Sequence, residues 1–292
     1  DTLSLHDALP IWLPENLFRT LLIKSRDVEA VLASPHVQAV TLTGSEAAGR
    51  QVAALAGQNL KKSVLELGGS DPFIVLADAD LDWAVAQAIP ARFTNAGQSC
   101  ISAKRFIVVP EIADEFVARL QAAMALLQPG DPNLDQTTLA PLARVDLRDE
   151  LHQQVQDSIA AGAQPLLGCQ VPEGAGAYYP ASLLDKVAPG QRAYTEEIFG
   201  PVALVLRAAD EEDAIRIAND TRFGLGSSVW SRDIARAERI AARIETGNCY
   251  INSLVKSDPR LPFGGTKASG YGRELSAYGI HEFVNLKTVW VR

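Results

Sequence analysis

Cysteine is scarce in this sequence of 292 residues: Cys100, Cys169 and Cys249 are the only three. Three cannot form an even disulfide set, and none stands at metal-ligand spacing from another. The four histidines, His6, His36, His152 and His281, are scattered and suggest no metal cluster. Unpaired cysteines fit a reducing compartment, so a cytoplasmic location is expected. No apolar run is long enough to span a bilayer, which argues against membrane insertion. No basic block offsets the net charge of -8, so neither nucleic acid nor an acidic membrane surface is expected as the main partner. Internal repeats and low-complexity tracts are lacking too. The first dozen residues, Asp1 to Trp12, show neither the basic start nor the small-residue cleavage site of a signal peptide.

What is present suits a globular chain. At 47% hydrophobic and 21% charged it has the apolar content for a sizeable core, and its length allows two domains. Strand and helix patterns alternate. Pro35 to Thr43 reads as a turn and a β-branched strand. Gly44-Ser45 opens a helix to about Ala56, with Ser45 as N-cap, and Lys62 to Leu67 is the next strand. Phe73 to Leu76 is a short strand. Asp78-Ala79-Asp80-Leu81-Asp82 reads as a helix start rather than a metal site, and Pro90 should kink or interrupt the helix that follows. Glu111 to Leu127, Leu147 to Ala161, Asp210 to Ala218 and Asp233 to Ile244 read as helices. Phe106 to Val109, Gln164 to Cys169, Val202 to Leu206, Gly226 to Trp230 and Cys249 to Asn252 read as strands. Ser253 to Gly270 is a long loop rich in Gly, Pro, Ser and Lys, of a kind that often carries function. The alternation gives an α/β class with largely parallel sheets.

Chemistry concentrates in two stretches. Asn95-Ala96-Gly97-Gln98-Ser99-Cys100 offers a thiol on a turn whose residues favour a loop; a lone cysteine otherwise reads as a small buried hydrophobe. Lys104 and Arg105 could favour a thiolate, although strand alternation points them to opposite faces. Val64-Leu65-Glu66-Leu67-Gly68-Gly69 puts the Glu66 carboxylate in an apolar run, where desolvation would raise its pKa into the range of a general base. A solvent-facing strand glutamate is the alternative. A cysteine and a base from separate segments are the minimum parts of thiol-based acyl chemistry. The Gly44-Ser45 turn between strand and helix sets free backbone N–H groups where a phosphate could sit.

Glu66-Leu67-Gly68-Gly69, Gly97-Gln98-Ser99-Cys100, Glu197-Ile198-Phe199-Gly200-Pro201 and Pro262-Phe263-Gly264-Gly265, with Lys267 and Ser269-Gly270, follow one another in the chain. Together they resemble the NAD(P)-dependent aldehyde dehydrogenase superfamily from Leu13 to Arg292, covering about the last three-fifths of a typical member. The resemblance implies an unmatched segment over 1–12 and the end of a partial Rossmann-like cofactor domain over 13–69. It implies a parallel-sheet α/β catalytic domain over 70–268 and a return segment over 269–292. The strand Lys287-Thr288-Val289-Trp290-Val291 would serve oligomerisation, so a homo-oligomer is expected of the full-length form. NAD or NADP is the implied cofactor. Gly44, Ser45 and Leu67 would contact the dinucleotide, Ser45 at its pyrophosphate. Glu197 would contact the nicotinamide ribose, with Phe199 supporting that region.

The resemblance also implies a mechanism. Cys100 attacks a small-molecule aldehyde, hydride leaves the hemithioacetal carbon for the nicotinamide, and Glu66 activates the water that hydrolyses the thioester. The oxyanion is held by the Cys100 backbone N–H and an asparagine amide that in the family lies upstream of anything present here. A truncated start, and little activity from this chain alone, are therefore expected. Phe263 resembles the residue lining the substrate tunnel. Lys256 to Gly265 resembles one bacterial succinate-semialdehyde dehydrogenase branch, in which Arg260 is a candidate partner for a substrate carboxylate or else a solvent-facing loop arginine. Thr94 stands where another branch has an arginine. Two other readings are a catalytically silent fragment and cofactor-independent, esterase-like acyl transfer. A catalytic thiol should be accessible and partly ionised near neutrality, so Cys100 should alkylate before Cys169 or Cys249.

Overall fold

The structure is a computed structural model that describes Pro14 and residues 16–292; the expected segment 1–12 and the boundary at Leu13 lie outside the described residues. Strands β1 (Ala39–Thr43) and β2 (Lys62–Glu66) run parallel, joined by the helix Glu46–Gln58, with Thr43 beside Glu66. Between Glu66 and Asp71 the chain leaves this sheet. Strand β3 (Asp71–Val75) enters a larger one with β4 (Ala103–Val108), β5 (Gln164–Leu167), β6 (Ser182–Asp185) and β7 (Val202–Arg207). The short β8 (Phe223–Gly224) precedes β9 (Gly226–Trp230) and β10 (Asn248–Ile251), which complete it. Its order is β10-β9-β3-β4-β7-β6-β5, parallel except for β5 against β6. The α/β class with largely parallel sheets is what the alternation predicted.

Strands β3, β4 and β9 are buried at every residue, as strands covered on both faces are. Phe73 stacks on Trp230 at 4.6 Å and meets Phe106 at 5.0 Å. Burying each such side chain contributes roughly 2–3 kcal/mol. Aspartates set the helix starts: Asp80 accepts from Trp83 N–H, Asp210 from Asp213 N–H and Asp233 from Arg236 N–H, each cap being worth about 1 kcal/mol. Of the other acids in the early run, Asp78 accepts from Ser231 Oγ and Asp233 N–H, and Asp82 pairs with Arg119.

Three local expectations change. The helix Leu81–Phe93 runs through Pro90, because the missing donor falls in its last turn and that turn is anchored by buried Arg92 and Phe93. The long loop is partly ordered: Phe263 exchanges two backbone hydrogen bonds with Glu274, β11 (Thr266–Lys267) pairs with β8, and β12 (Gly270–Tyr271) lies antiparallel to β2. Lys287 to Val291 forms no strand within the chain, and Trp290 is 86% exposed. An extended edge becomes a ladder only against a partner strand. No helix of the described residues is long and apolar enough to cross a membrane.

Candidate active site

The thiol is presented by an unusual turn. After Phe93 the chain puts Asn95, Ala96 and Gly97 successively at φ 54°, 53° and 73°. Asparagine tolerates the left-handed region and glycine is free there, but alanine is strained, so surrounding contacts must hold the turn. Glycine is needed at 97 on a second count: an added Cβ would lie 2.4 Å from Gly200 O. Asn95 Nδ2 donates to Gln98 O, and Gln98 Oε1 accepts from Ala143 N–H at 2.9 Å. Fully buried Arg92 donates to Val202 O at 2.7 Å and Ile198 O at 2.9 Å, and also to Gly200 O and Gly97 O. One guanidinium thus ties the cysteine turn to the Glu197–Pro201 segment. Burial lowers its pKa to about 9, with Glu197 opposing the shift.

Glu66 ends β2 at 4% exposure, and neither carboxylate oxygen has a hydrogen-bond partner. Burial first, then Glu274, raises its pKa to about 8, against Arg273. The solvent-facing alternative is excluded. The return segment fixes the strand end: Leu67 N–H donates to Ser269 O, and Ser269 Oγ to Gly68 O at 2.6 Å. The paired glycines that follow allow close approach. A Cβ on Gly68 would stand 2.2 Å from Glu197 Oε2, and one on Gly69 would stand 2.7 Å from Cys100 O.

Beneath the thiol lies a buried group of charges. Lys104 and Arg105, neighbours on β4, do point to opposite faces. Arg105 donates to Ser70 O and to Ile217 O and Ala218 O at the end of the helix Glu211–Asn219, where a cation suits the helix dipole. Lys104 turns toward the cysteine and Glu197. Asp71, 1% exposed, accepts from Gly226 N–H through Oδ1, and its pKa rises to about 6, chiefly through burial. The Cys100 thiol is pushed above its ordinary value, first by burial, with Lys104 opposing and Asp71 and Glu197 reinforcing. The expectation of a partly ionised thiol thus has burial against it and Lys104 in its favour.

A cavity of about 610 Å³ is lined by Thr43, Gly44, Ser45, Glu66, Leu67, Gly68, Gln98, Ser99, Cys100, Glu197 and Phe199. The proposed nucleophile, base and cofactor-side residues therefore share one space. A neighbouring cleft of about 550 Å³ shares Ser45, Gly68 and Glu197 with it. Both adjoin the start of the helix Glu46–Gln58, where Ser45 Oγ caps Ala48 N–H. Two neighbouring spaces that share lining residues beside a helix N-terminus suit an elongated, phosphate-bearing dinucleotide. Glu197 is anchored there by Gly69 N–H at 3.1 Å and Lys104 Nζ at 3.2 Å. Phe263 and Arg260 line neither cleft; the Arg260 guanidinium is exposed and paired with Asp258 at 2.7 Å.

The aldehyde dehydrogenase family profile matches residues 6–289. The chain belongs to the aldehyde dehydrogenase family. It is 52% identical over 278 residues to succinate-semialdehyde dehydrogenase [NADP(+)] 1 of Mycobacterium ulcerans, covering 95% of this chain and 61% of that protein. The corresponding Mycobacterium tuberculosis protein is 51% identical with the same coverage. Among solved structures, succinic semialdehyde dehydrogenase from Streptococcus pyogenes in complex with NADP+ superposes with a TM-score of 0.91 at 40% identity, over 93% of this chain and 60% of that one. A salicylaldehyde dehydrogenase from Pseudomonas putida complexed with salicylaldehyde superposes at 0.86 and 40% identity, over 90% and 54%. The chain thus spans about three-fifths of the length of the curated relatives it matches.

Sequence reading missed Arg92 and Asp71 and left Lys104 without an assigned partner. The available signal was a charged residue within an apolar stretch: Arg92 before Phe93, and Lys104-Arg105 opening a β-rich run.

Proposed function

We propose that this chain carries the thiol chemistry of an NAD(P)-dependent aldehyde dehydrogenase acting on a short semialdehyde, with succinate semialdehyde the first candidate. The shared cavity of Cys100, Glu66 and Glu197 supports this reading most strongly, and the semialdehyde follows from the relatives' printed activities. NAD or NADP, held at Gly44, Ser45, Leu67, Glu197 and Phe199, supplies the hydride acceptor when bound. Cys100 gives up its thiol proton to solvent and adds as the thiolate to the aldehyde carbon, and the Cys100 N–H, which makes no hydrogen bond among the described residues, donates to the oxyanion. Loss of hydride leaves a thioester on Cys100. Glu66 then takes a proton from a water whose oxygen attacks the thioester carbon, releasing the carboxylate and the thiol.

The same reading assigns 13–69 to a cofactor domain, 70–268 to the catalytic domain and 269–292 to a return segment. It makes the full-length form a cytoplasmic homo-oligomer joined through the exposed terminal residues. The test is formation of reduced cofactor from succinate semialdehyde and other aldehydes, with NAD and with NADP, by the 292-residue chain and by a version extended upstream to the relatives' length. Turnover abolished by Cys100→Ala is expected of the extended protein. Ester cleavage without reduced cofactor would replace the redox reading with acyl transfer, and a Cys100→Ala protein that still turns over would overturn it.

A further inference from the structure

Lys104 is fully buried, yet none of its bonding capacity is wasted. Its ammonium has three N–H donors and meets three acceptors: Ser99 O at 2.9 Å, Cys100 O at 2.9 Å and Glu197 Oε1 at 3.2 Å. Neutral amine would offer only two donors and turn its lone pair on an oxygen, so this environment selects the charged form although burial pulls the lysine pKa down. The geometry acts on the thiol turn through the backbone. The Ser99–Cys100 peptide is planar and trans, so its N–H points opposite its C=O. Because Lys104 draws Ser99 O toward itself, the Cys100 N–H is directed away from the lysine, leaving it unbonded among the described residues.

We propose that Lys104 is a positioning residue that locks the Ser99 and Cys100 carbonyls to the Glu197 carboxylate, aiming the Cys100 N–H and holding a positive charge behind the sulfur. The inference rests on the reading of Cys100 as nucleophile and Glu197 as the cofactor-side carboxylate. It links the two halves of the site: the residue that fixes the thiol turn also fixes the carboxylate facing the cofactor. The charged groups facing the pair are Glu197, Asp71 and Arg92 around Lys104, and Lys104, Asp71 and Glu197 around Cys100. Of the charged groups named around the sulfur among the described residues, Lys104 is the one cation, and it opposes Asp71 and Glu197.

The experiment is the pH dependence of Cys100 alkylation by iodoacetamide, mapped by peptide mass spectrometry on the purified chain, unaltered and as Lys104→Met. Methionine keeps the length and loses the charge. The alkylation midpoint should move up by about one pH unit, making Cys100 about tenfold less reactive at a fixed pH below it. A lysine that serves only folding would lower the melting temperature and leave the midpoint in place, and that result overturns the proposal. If the single variant does not fold, Lys104→Met is combined with Asp71→Asn, which removes one buried charge of each sign. The midpoint should still rise, because Lys104 bonds the Ser99 and Cys100 carbonyls directly, whereas Asp71 Oδ1 is bonded to Gly226 N–H. An unmoved or lowered midpoint, or failure of both variants to fold, overturns the proposal. The underlying reading fails separately, if Cys100 in the unaltered chain alkylates no faster than Cys169 and Cys249.

Discussion

Replacing Glu66 by glutamine should stabilise the protein, and by an amount that depends on pH. The carboxyl is 4% exposed, both oxygens are unpartnered, and its pKa is raised from 4.5 to about 8. A raised folded-state pKa means that the folded chain holds a proton the unfolded chain releases. The carboxyl therefore costs little stability below pH 4.5, and the cost grows as pH rises until it saturates near pH 8. Roughly three and a half pH units at about 1.4 kcal/mol each set a ceiling of about 5 kcal/mol. Between pH 5 and pH 8, Glu66→Gln should gain about 3–4 kcal/mol relative to the unaltered chain. Near pH 5 the two should be nearly equal, since a neutral acid and an amide are alike in size and polarity. Urea unfolding of both proteins at half-unit pH steps measures the difference. A flat difference across that window would show that Glu66 titrates normally, and would remove the physical basis for its role as a base. The same variant in the extended protein should lose thioester hydrolysis while keeping the first burst of reduced cofactor. In the unaltered enzyme, hydrolysis should rise with pH toward about 8, as the base becomes ionised.

Limited alkylation should label Cys100 before Cys169, which is buried and has its thiol pushed up to about 11, and before Cys249, whose thiol burial raises with no cation such as Lys104 opposing it; equal labelling would count against Cys100 as nucleophile. Gly68→Ala should displace the Glu197 carboxylate, since the added carbon would stand 2.2 Å from Oε2; loss of the bond to Gly69 N–H should weaken cofactor binding in the extended protein by about tenfold, roughly 1.4 kcal/mol, by titration. Trp290→Ser should change unfolding stability of the single chain by less than about 0.5 kcal/mol while reducing self-association measured by sedimentation; an unchanged mass distribution would argue against the terminal segment as a subunit contact.

The sequence alone determined the alternation of strands and helices, the Ser45 cap, the acidic helix starts, and the order of the four motifs. These depend on periodicity, on hydrogen bonds spanning a few residues, or on residue identity. Asp80, Asp210 and Asp233 cap helices as their positions indicate because each bonds an N–H three residues away. Tertiary structure decided the electrostatics. Whether Glu66 faced open solvent or a buried strand end turned on segments some two hundred residues later, and its burial there gives it its raised pKa. Nothing local marks the role of Arg92, because its acceptors at Ile198, Gly200 and Val202 lie over a hundred residues away. The left-handed run at Asn95 and Ala96 goes against local preference, so only the contacts that hold it could reveal it. The terminal segment shows the converse: Lys287 to Val291 has the residues of a strand, but a strand is a pairing, and a single chain supplies it no partner.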